Sequence, residues 1–145
     1  MRVDFYVLGA SAADTVVTSL AARALGAGHR LLIVVGDEAR RAEFSRALWQ
    51  ARPEHFLANG DAGAPHAARQ PILLSDRPDP RNGAQIMCLA DGLWREAQGF
   101  ERVLYLFGDA HLAEARAQWR RLGERAEIER RYWKQDQGGR WSEGP

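Results

Sequence analysis

The run LLIVV, from Leu31 to Val35, places five apolar residues in succession. An apolar run without alternation is typical of a central strand that is covered on both faces. The segment before it, Ala12 to Ala27, carries apolar residues at four-residue spacing, which predicts a helix. After the run, Asp37 can cap a second helix that reaches about Trp49. This order of elements predicts a parallel sheet with helices packed on its faces.

The rest of the chain continues the alternation of strands and helices around a loop-rich segment between residues 52 and 70. Further strands are predicted at Val3 to Leu8, Ile72 to Leu74, Ala84 to Leu89, Val103 to Phe107 and Ile128 to Lys134. Further helices are predicted at Gly92 to Gln98 and from an Asp109 cap to about Arg125. We therefore expect an α/β fold, a three-layer α/β/α single domain over residues 1–145. Its central sheet should be mostly parallel, Rossmann-like without a nucleotide-binding motif.

The composition limits the classes of protein that this chain can belong to. Its 145 residues are 46% hydrophobic and 27% charged, which is enough apolar content for a folded core. The net charge of +1 gives no overall field that would attract nucleic acid. The single cysteine, Cys88, excludes an internal disulfide and a Cys-rich metal site. No apolar run approaches the roughly 20 residues that span a bilayer, so we expect no membrane contact and a cytoplasmic location.

The loops where ligands bind in open α/β sheets show no catalytic motif. The loop Gly9 to Asp14 has one glycine where a dinucleotide site requires three, and the loop Gly36 to Ala39 carries two acids that would repel phosphate. The four histidines are not spaced as zinc pairs. The sequence therefore predicts no catalytic residue, no metal site and no cofactor.

The last predicted helix carries a local group of basic and aromatic residues. Arg116, Trp119 and Arg120 lie three and four residues apart and share one helical face, and Arg121 follows directly. A guanidinium fork matches a carboxylate and an indole offers a flat apolar wall, so this face can hold a peptide that ends in an aromatic residue. The alternative is a solvated basic face with Trp119 packed inward.

A second group of large apolar residues lies at the end of the second helix. Leu48, Trp49, Phe56 and Leu57 fall within ten residues of one another. Exposed Trp and Phe side chains are frequent anchors of protein interfaces. The alternative is that these residues close the bottom of the core.

Three stretches of the sequence together resemble the chi subunit family of bacterial DNA polymerase III. They are the opening DFYVL (Asp4 to Leu8), the stretch ALWQARPEHFLANG (Ala47 to Gly60), and the ending ARAQWRRL (Ala115 to Leu122) followed by RYWKQDQGGRW (Arg131 to Trp141). Their order and spacing match the family along nearly the whole chain. Two departures stand out: Leu112 replaces a lysine of the family, with His111 beside it, and Trp119 replaces a tyrosine found in some members.

The resemblance implies a non-catalytic accessory subunit that works in DNA replication and contacts DNA only indirectly. It implies a heterodimer with the psi subunit, which joins the clamp loader, and binding of the acidic C-terminal tail of single-stranded-DNA-binding protein. The tail site maps onto Arg116, Trp119 and Arg120, with Tyr105 at its edge. The psi-facing patch maps onto Trp49 and Phe56, flanked by Leu48 and Leu57, and in some relatives a repair helicase engages the same patch.

Two other functions are compatible with the residues alone. A nucleotide-dependent enzyme on the same scaffold would need a phosphate cradle at Gly9 to Asp14 or at Gly36 to Glu38. A direct binder of single-stranded nucleic acid would stack bases on Trp119 beside the arginines of the last helix.

Overall fold

The computed structural model of the chain describes residues 1–51 and 57–144. Within these ranges the strands are β1 (Arg2–Val7), β2 (Leu31–Val34), β3 (Asn59–Asp61), β4 (Ile72–Ser75), β5 (Ile86–Leu89), β6 (Arg102–Phe107), β7 (Glu129–Gln135) and β8 (Trp141–Glu143). The α-helices are α1 (Ala13–Gly26), α2 (Glu38–Gln50) and α3 (Leu112–Gly123), and single 3-10 turns lie at Ala67–Arg69 and Asp109–His111.

The strands form one sheet in the order β3-β4-β2-β5-β6-β1-β7-β8. The pairs from β3 to β7 are parallel, and β8 runs antiparallel to β7 at one edge. The predicted α/β fold with a mostly parallel sheet is therefore confirmed. The run at Leu31 to Val35 supplies β2, which lies between β4 and β5, and its side chains are fully buried.

Alternating residues of β2 divide the core into two layers, as expected for a strand covered on both faces. Leu31 and Ile33 pack in one layer with apolar residues of α1 and α2, such as Leu20 and Phe44. Leu32 and Val34 pack in the other layer, which contains residues of α3. The helices α1 and α2 thus lie on one face of the sheet and α3 lies on the other, which gives the three-layer arrangement.

The helix predicted at Gly92 to Gln98 is absent, and this prediction is wrong. Gly92 has a left-handed φ of +82°, which does not continue into a helix. Trp94 packs instead against the core, with its ring stacked 6.5 Å from that of Phe5. Asp91 accepts two 2.8 Å hydrogen bonds from the Arg95 guanidinium and fixes the turn. Tertiary packing of one tryptophan therefore overrides local helix propensity in this segment.

The helix starts were predicted with unequal success. The Asp37 carboxylate accepts a hydrogen bond from the Arg40 backbone N–H, so the predicted cap of α2 is confirmed. The predicted Asp109 cap is wrong, because Asp109 begins a 3-10 turn and α3 starts only at Leu112. The short edge strands β3 and β8 were not predicted.

Candidate functional site

The basic face of α3 borders a groove on its side of the sheet. Arg116, Trp119 and Arg120 line it together with Leu112 and Ala115 of the same helix. The remaining lining residues come from three adjacent strands: Phe5 of β1, Phe107 of β6 and Tyr132 of β7. The volume is about 260 Å³, and we call this site the α3 groove. The helical spacing seen in the sequence therefore does place the three predicted residues side by side.

Trp119 forms one wall of the α3 groove. Its side chain is half-buried, packing against the core on one side and bordering the groove on the other. The Phe5 ring meets it edge-on with the centroids 5.1 Å apart, and the Tyr132 ring does so at 6.4 Å. These aromatic contacts hold the indole in one orientation.

The two arginines of the α3 groove have no acidic partner in the part of the chain that the structure describes. Arg116 and Arg120 are exposed, and neither forms an ion pair or a side-chain hydrogen bond within residues 1–51 and 57–144. Arg121 differs, because its Nη1 donates to Gln118 Oε1 at 2.8 Å and it does not line the groove. The groove therefore presents two uncompensated guanidinium groups beside an apolar surface, which suits a ligand with both carboxylate and aromatic character.

Tyr105 does not lie at the edge of this groove, and its placement there is corrected. Its side chain is fully buried beneath the floor, with its ring 5.4 Å from Phe5 and 5.2 Å from Phe107. Its hydroxyl donates to the Gly92 carbonyl oxygen at 2.9 Å. Burial raises the pKa of Tyr105 to about 12, so this hydroxyl stays protonated at neutral pH. Tyr105 thus supports the floor and cannot contact a ligand.

Residue Leu112 changes the character of one end of the groove. It is half-buried and lines the groove, where the family's lysine would add a charge. His111 precedes it in the 3-10 turn and packs against Gly92. Leu112 therefore extends the apolar part of the groove and leaves its charge to Arg116 and Arg120.

The apolar group at the end of α2 divides into buried and exposed members. Leu48 is 0% exposed and Leu57 is 6% exposed, so both belong to the core and neither can anchor a partner directly. Trp49 is 43% exposed and projects from the last turn of α2. Phe56 lies outside the described residues. The two leucines therefore close the core, as the alternative interpretation predicted. Among the described residues of the predicted patch, Trp49 is the exposed one.

In each of the two loops that a nucleotide-dependent enzyme would use, one backbone N–H is bonded to a side chain. The Gly36 N–H donates to the Asp91 carboxylate at 2.9 Å. The Ser11 N–H donates to the Gln135 side-chain oxygen at 3.1 Å. Among the described residues no group of three His, Cys, Asp or Glu side chains is arranged to hold a metal ion.

Comparison with known protein families shows the family of the chain. The family model for the DNA polymerase III chi subunit, HolC, matches residues 1–128 of the chain. The chain belongs to this family. A search of the curated proteins returned no match.

Membership of the chi family makes the chain an accessory subunit of DNA polymerase III with a role in DNA replication. The matched range contains Trp49 and the three α3 residues of the groove, and it ends before β7. The tail stretch RYWKQDQGGRW, which contributed to the resemblance, therefore lies beyond the match. No helix in residues 1–51 or 57–144 has both the length and the apolar content to cross a membrane.

Sequence reasoning missed the strand residues of the groove. Phe5 and Tyr132 lie on parallel neighbouring strands and are paired in register, which the sequence does not reveal. Alternation along β1 separates Phe5 from Tyr6, but the sequence does not show which of the two faces α3. Arg130 of β7 does not line the groove, but its guanidinium lies over the Trp119 ring, and this contact was missed as well.

Proposed function

We propose that this chain is a non-catalytic adaptor of the DNA polymerase III holoenzyme. In this proposal it joins the clamp loader, through the psi subunit, to the C-terminal tail of single-stranded-DNA-binding protein. The observation that carries the proposal is the α3 groove, where Arg116 and Arg120 lie beside Trp119 with no acidic partner among the described residues. Such a site combines what an acidic peptide end requires, namely forked cationic donors and an apolar slot.

The geometry of the groove suggests how a tail would bind. The terminal carboxylate and acidic side chains pair with Arg116 and Arg120 on the exposed rim. A terminal phenyl ring lies against Trp119, Leu112 and Phe107, which supply the apolar lining. Aromatic rings in such contacts add stabilisation beyond the area that they bury. Because the cations are exposed, the electrostatic part of binding weakens with salt over a screening length of about 8 Å at physiological ionic strength.

The psi subunit is assigned to the end of α2. Trp49 is the exposed apolar side chain of that helix, and a large ring of this kind contributes strongly when a partner covers it. Phe56 remains part of this assignment, although it lies outside the described residues. The same surface is where a repair helicase would compete, as in some relatives.

The two assigned surfaces are arranged so that one chain can hold two partners. The helix α2 packs on one face of the sheet, and α3 packs on the opposite face. A tail in the α3 groove therefore does not cover the surface around Trp49. Simultaneous binding is the physical requirement for a bridge, since partners that excluded each other would make a switch instead.

A three-component assembly tests the bridging function. The psi subunit, this chain and a tail-bearing single-stranded-DNA-binding protein are mixed, and the complexes are separated by size-exclusion chromatography with light scattering. We expect one complex that contains all three proteins, and its loss when this chain is omitted. Two separate binary complexes that never combine would contradict the proposal.

A further inference from the structure

A second groove runs along α1, on the face of the sheet opposite the α3 groove. Two adjoining hollows of about 320 and 300 Å³ form it, and they share the residues Tyr6, Leu20, Arg23 and Arg102. The helix wall is one stripe of α1 with members three or four residues apart: Val16, Ser19, Leu20, Arg23, Ala24 and Ala27. At 1.5 Å per residue this stripe is roughly 16 Å long. We call the site the α1 groove.

The wall opposite α1 is aromatic. Trp133 of β7 and Trp141 of β8 line the second hollow and are half-buried. The Tyr6 ring is nearly parallel to that of Trp133 at 6.3 Å and meets that of Trp141 edge-on at 5.4 Å. These flat groups are fixed by the sheet rather than carried on a loop.

A buried carboxylate orients two arginines into this groove. Asp4 is 0% exposed and accepts hydrogen bonds from Arg2 Nη2 at 2.9 Å, Arg102 Nε at 2.6 Å and Trp133 Nε1 at 2.9 Å. The Nη1 groups of both arginines make no hydrogen bond within the described part of the chain. The two guanidinium groups are thus held in place with donors left over, which is the arrangement that favours anion binding.

The charge of the groove favours an anion as well. Arg23 of α1 is exposed and forms no ion pair among the described residues. The hollow that contains both tryptophans is lined by Arg2, Arg23 and Arg102 and by no acid. The buried Asp4, and Glu129 acting on Arg2, offset these three positive charges only in part. The adjoining hollow contains Glu101 and His29, which makes it less favourable for a phosphate.

We propose that the α1 groove binds single-stranded DNA directly. Backbone phosphates pair with Arg2, Arg23 and Arg102, and a base stacks on Trp141. Single-strand sites combine a cationic groove along the backbone with aromatic side chains that accept any base. The hollow with both tryptophans groups three arginines around two indoles, and a strand of DNA offers both phosphates and bases to such a hollow. This contact goes beyond the adaptor function, in which DNA is reached only through a partner.

Fluorescence anisotropy with a labelled thymidine oligonucleotide at low salt tests the proposal. We expect the full chain to bind the oligonucleotide. The logarithm of the association constant should fall by about 2 for each tenfold increase in salt concentration, because three phosphates are neutralised. Arg23→Glu should weaken binding roughly tenfold and make that salt slope shallower by about 0.7 or more. Trp141→Ala should weaken binding at least fivefold, as loss of one stacking platform does.

Two controls separate this site from general charge effects and from the α3 groove. Arg46→Glu makes the same change of charge at an exposed position on α2 and should leave DNA affinity within about twofold. The double variant R116E/R120E should lose the tail peptide and keep the oligonucleotide, while Arg23→Glu should show the reverse. Arg23 is exposed and unpaired among the described residues, so we expect Arg23→Glu to fold normally. The test therefore stays valid even if Trp141→Ala unfolds.

Three outcomes would overturn the proposal. The first is wild-type protein that does not bind the oligonucleotide. The second is equal weakening by Arg23→Glu and Arg46→Glu, which would indicate non-specific attraction. The third is DNA binding that is lost in R116E/R120E and kept in Arg23→Glu, which would place DNA in the α3 groove. None of these outcomes affects the tail titration, so the adaptor proposal is judged separately.

Discussion

The guanidinium of Arg130 covers one face of the Trp119 indole, with its Cζ 4.3 Å from the ring centroid. Nη1 of the same arginine donates to the Trp119 backbone carbonyl at 2.6 Å, so β7 and α3 are tied together at this residue. Phe5 meets the ring edge-on from the sheet. The wall of the α3 groove is therefore fixed before any ligand arrives, which reduces the entropy that binding must overcome.

Arg130→Ala should weaken binding of the acidic tail peptide although Arg130 does not line the groove. A cation over an indole at a partly exposed site contributes about 0.5–1 kcal/mol, so the dissociation constant should rise about two- to fivefold. Isothermal titration with the peptide measures this change. Arg131→Ala is the matched control, because Arg131 pairs with Glu129 at 3.2 Å and makes no contact with Trp119. Equal effects of the two variants would contradict the positioning role of Arg130.

Asp4→Asn should destabilise the fold strongly. The Asp4 carboxylate is fully buried and paired with the partly exposed Arg2 and Arg102, and loss of a hydrogen bond to a charged group costs about 1.5–3 kcal/mol. Urea unfolding, followed by circular dichroism, measures the free energy of unfolding. Asp79→Asn serves as control, since the Asp79–Arg81 pair is exposed and worth at most about 1 kcal/mol. A small effect at Asp4 would show that the cluster is not what anchors the α1 groove.

Stability should fall at alkaline pH because two buried acids resist ionisation. Burial raises the pKa of Cys88 from 9.0 to about 12 and that of Tyr105 from 10.0 to about 12. Since the folded-state pKa values are raised, this stability is fully present below pH 9 and is lost as the pH rises towards 12. Thermal unfolding between pH 8 and pH 11 measures the decline. Cys88→Ala should make the fall in unfolding temperature above pH 9 less steep. An unchanged dependence on pH would show that ionisation of the buried thiol is not its cause.

Neighbouring residues at the end of α2 should respond in opposite ways. Trp49→Ala removes a partly exposed ring and should abolish co-purification with the psi subunit, with a smaller loss of unfolding free energy than Leu48→Ala causes. Leu48→Ala removes a fully buried side chain and should lower the free energy of unfolding by about 2–5 kcal/mol. Thermal unfolding and a tagged pulldown separate the two effects. If Trp49→Ala unfolds the protein, Trp49 is a core residue and the interface assignment fails.

The sequence predicted the central elements well because their signals are local. An unbroken apolar run at β2 and the Asp37 cap of α2 each depend on residues close in the chain. The helix predicted at residues 92–98 is wrong because the Trp94 ring packs against Phe5 and Tyr105, which are distant in sequence. The weak edge strand β8 was missed because it exists only through pairing with β7.

The candidate sites show the same contrast between local sequence signals and contacts distant in the chain. The spacing of Arg116, Trp119 and Arg120 along α3 was readable, since helical geometry alone brings them together. Tyr105 was misplaced because the sequence does not reveal that its hydroxyl is turned inward to Gly92. The α1 groove was not predicted, because Arg2, Arg102 and Trp133 come from three separate strands and meet only at Asp4.

Titration of the acidic tail peptide into four variants tests the account of the α3 groove most directly. The wild type should bind with micromolar affinity, about −8 kcal/mol. Arg116→Ala and Arg120→Ala should each weaken binding about tenfold, as loss of a charged hydrogen-bond partner does, and Trp119→Ala should weaken it at least as much. Arg121→Ala, on the same helix but outside the groove, should bind like the wild type. If Arg116→Ala binds as tightly as Arg121→Ala, the peptide does not occupy this groove.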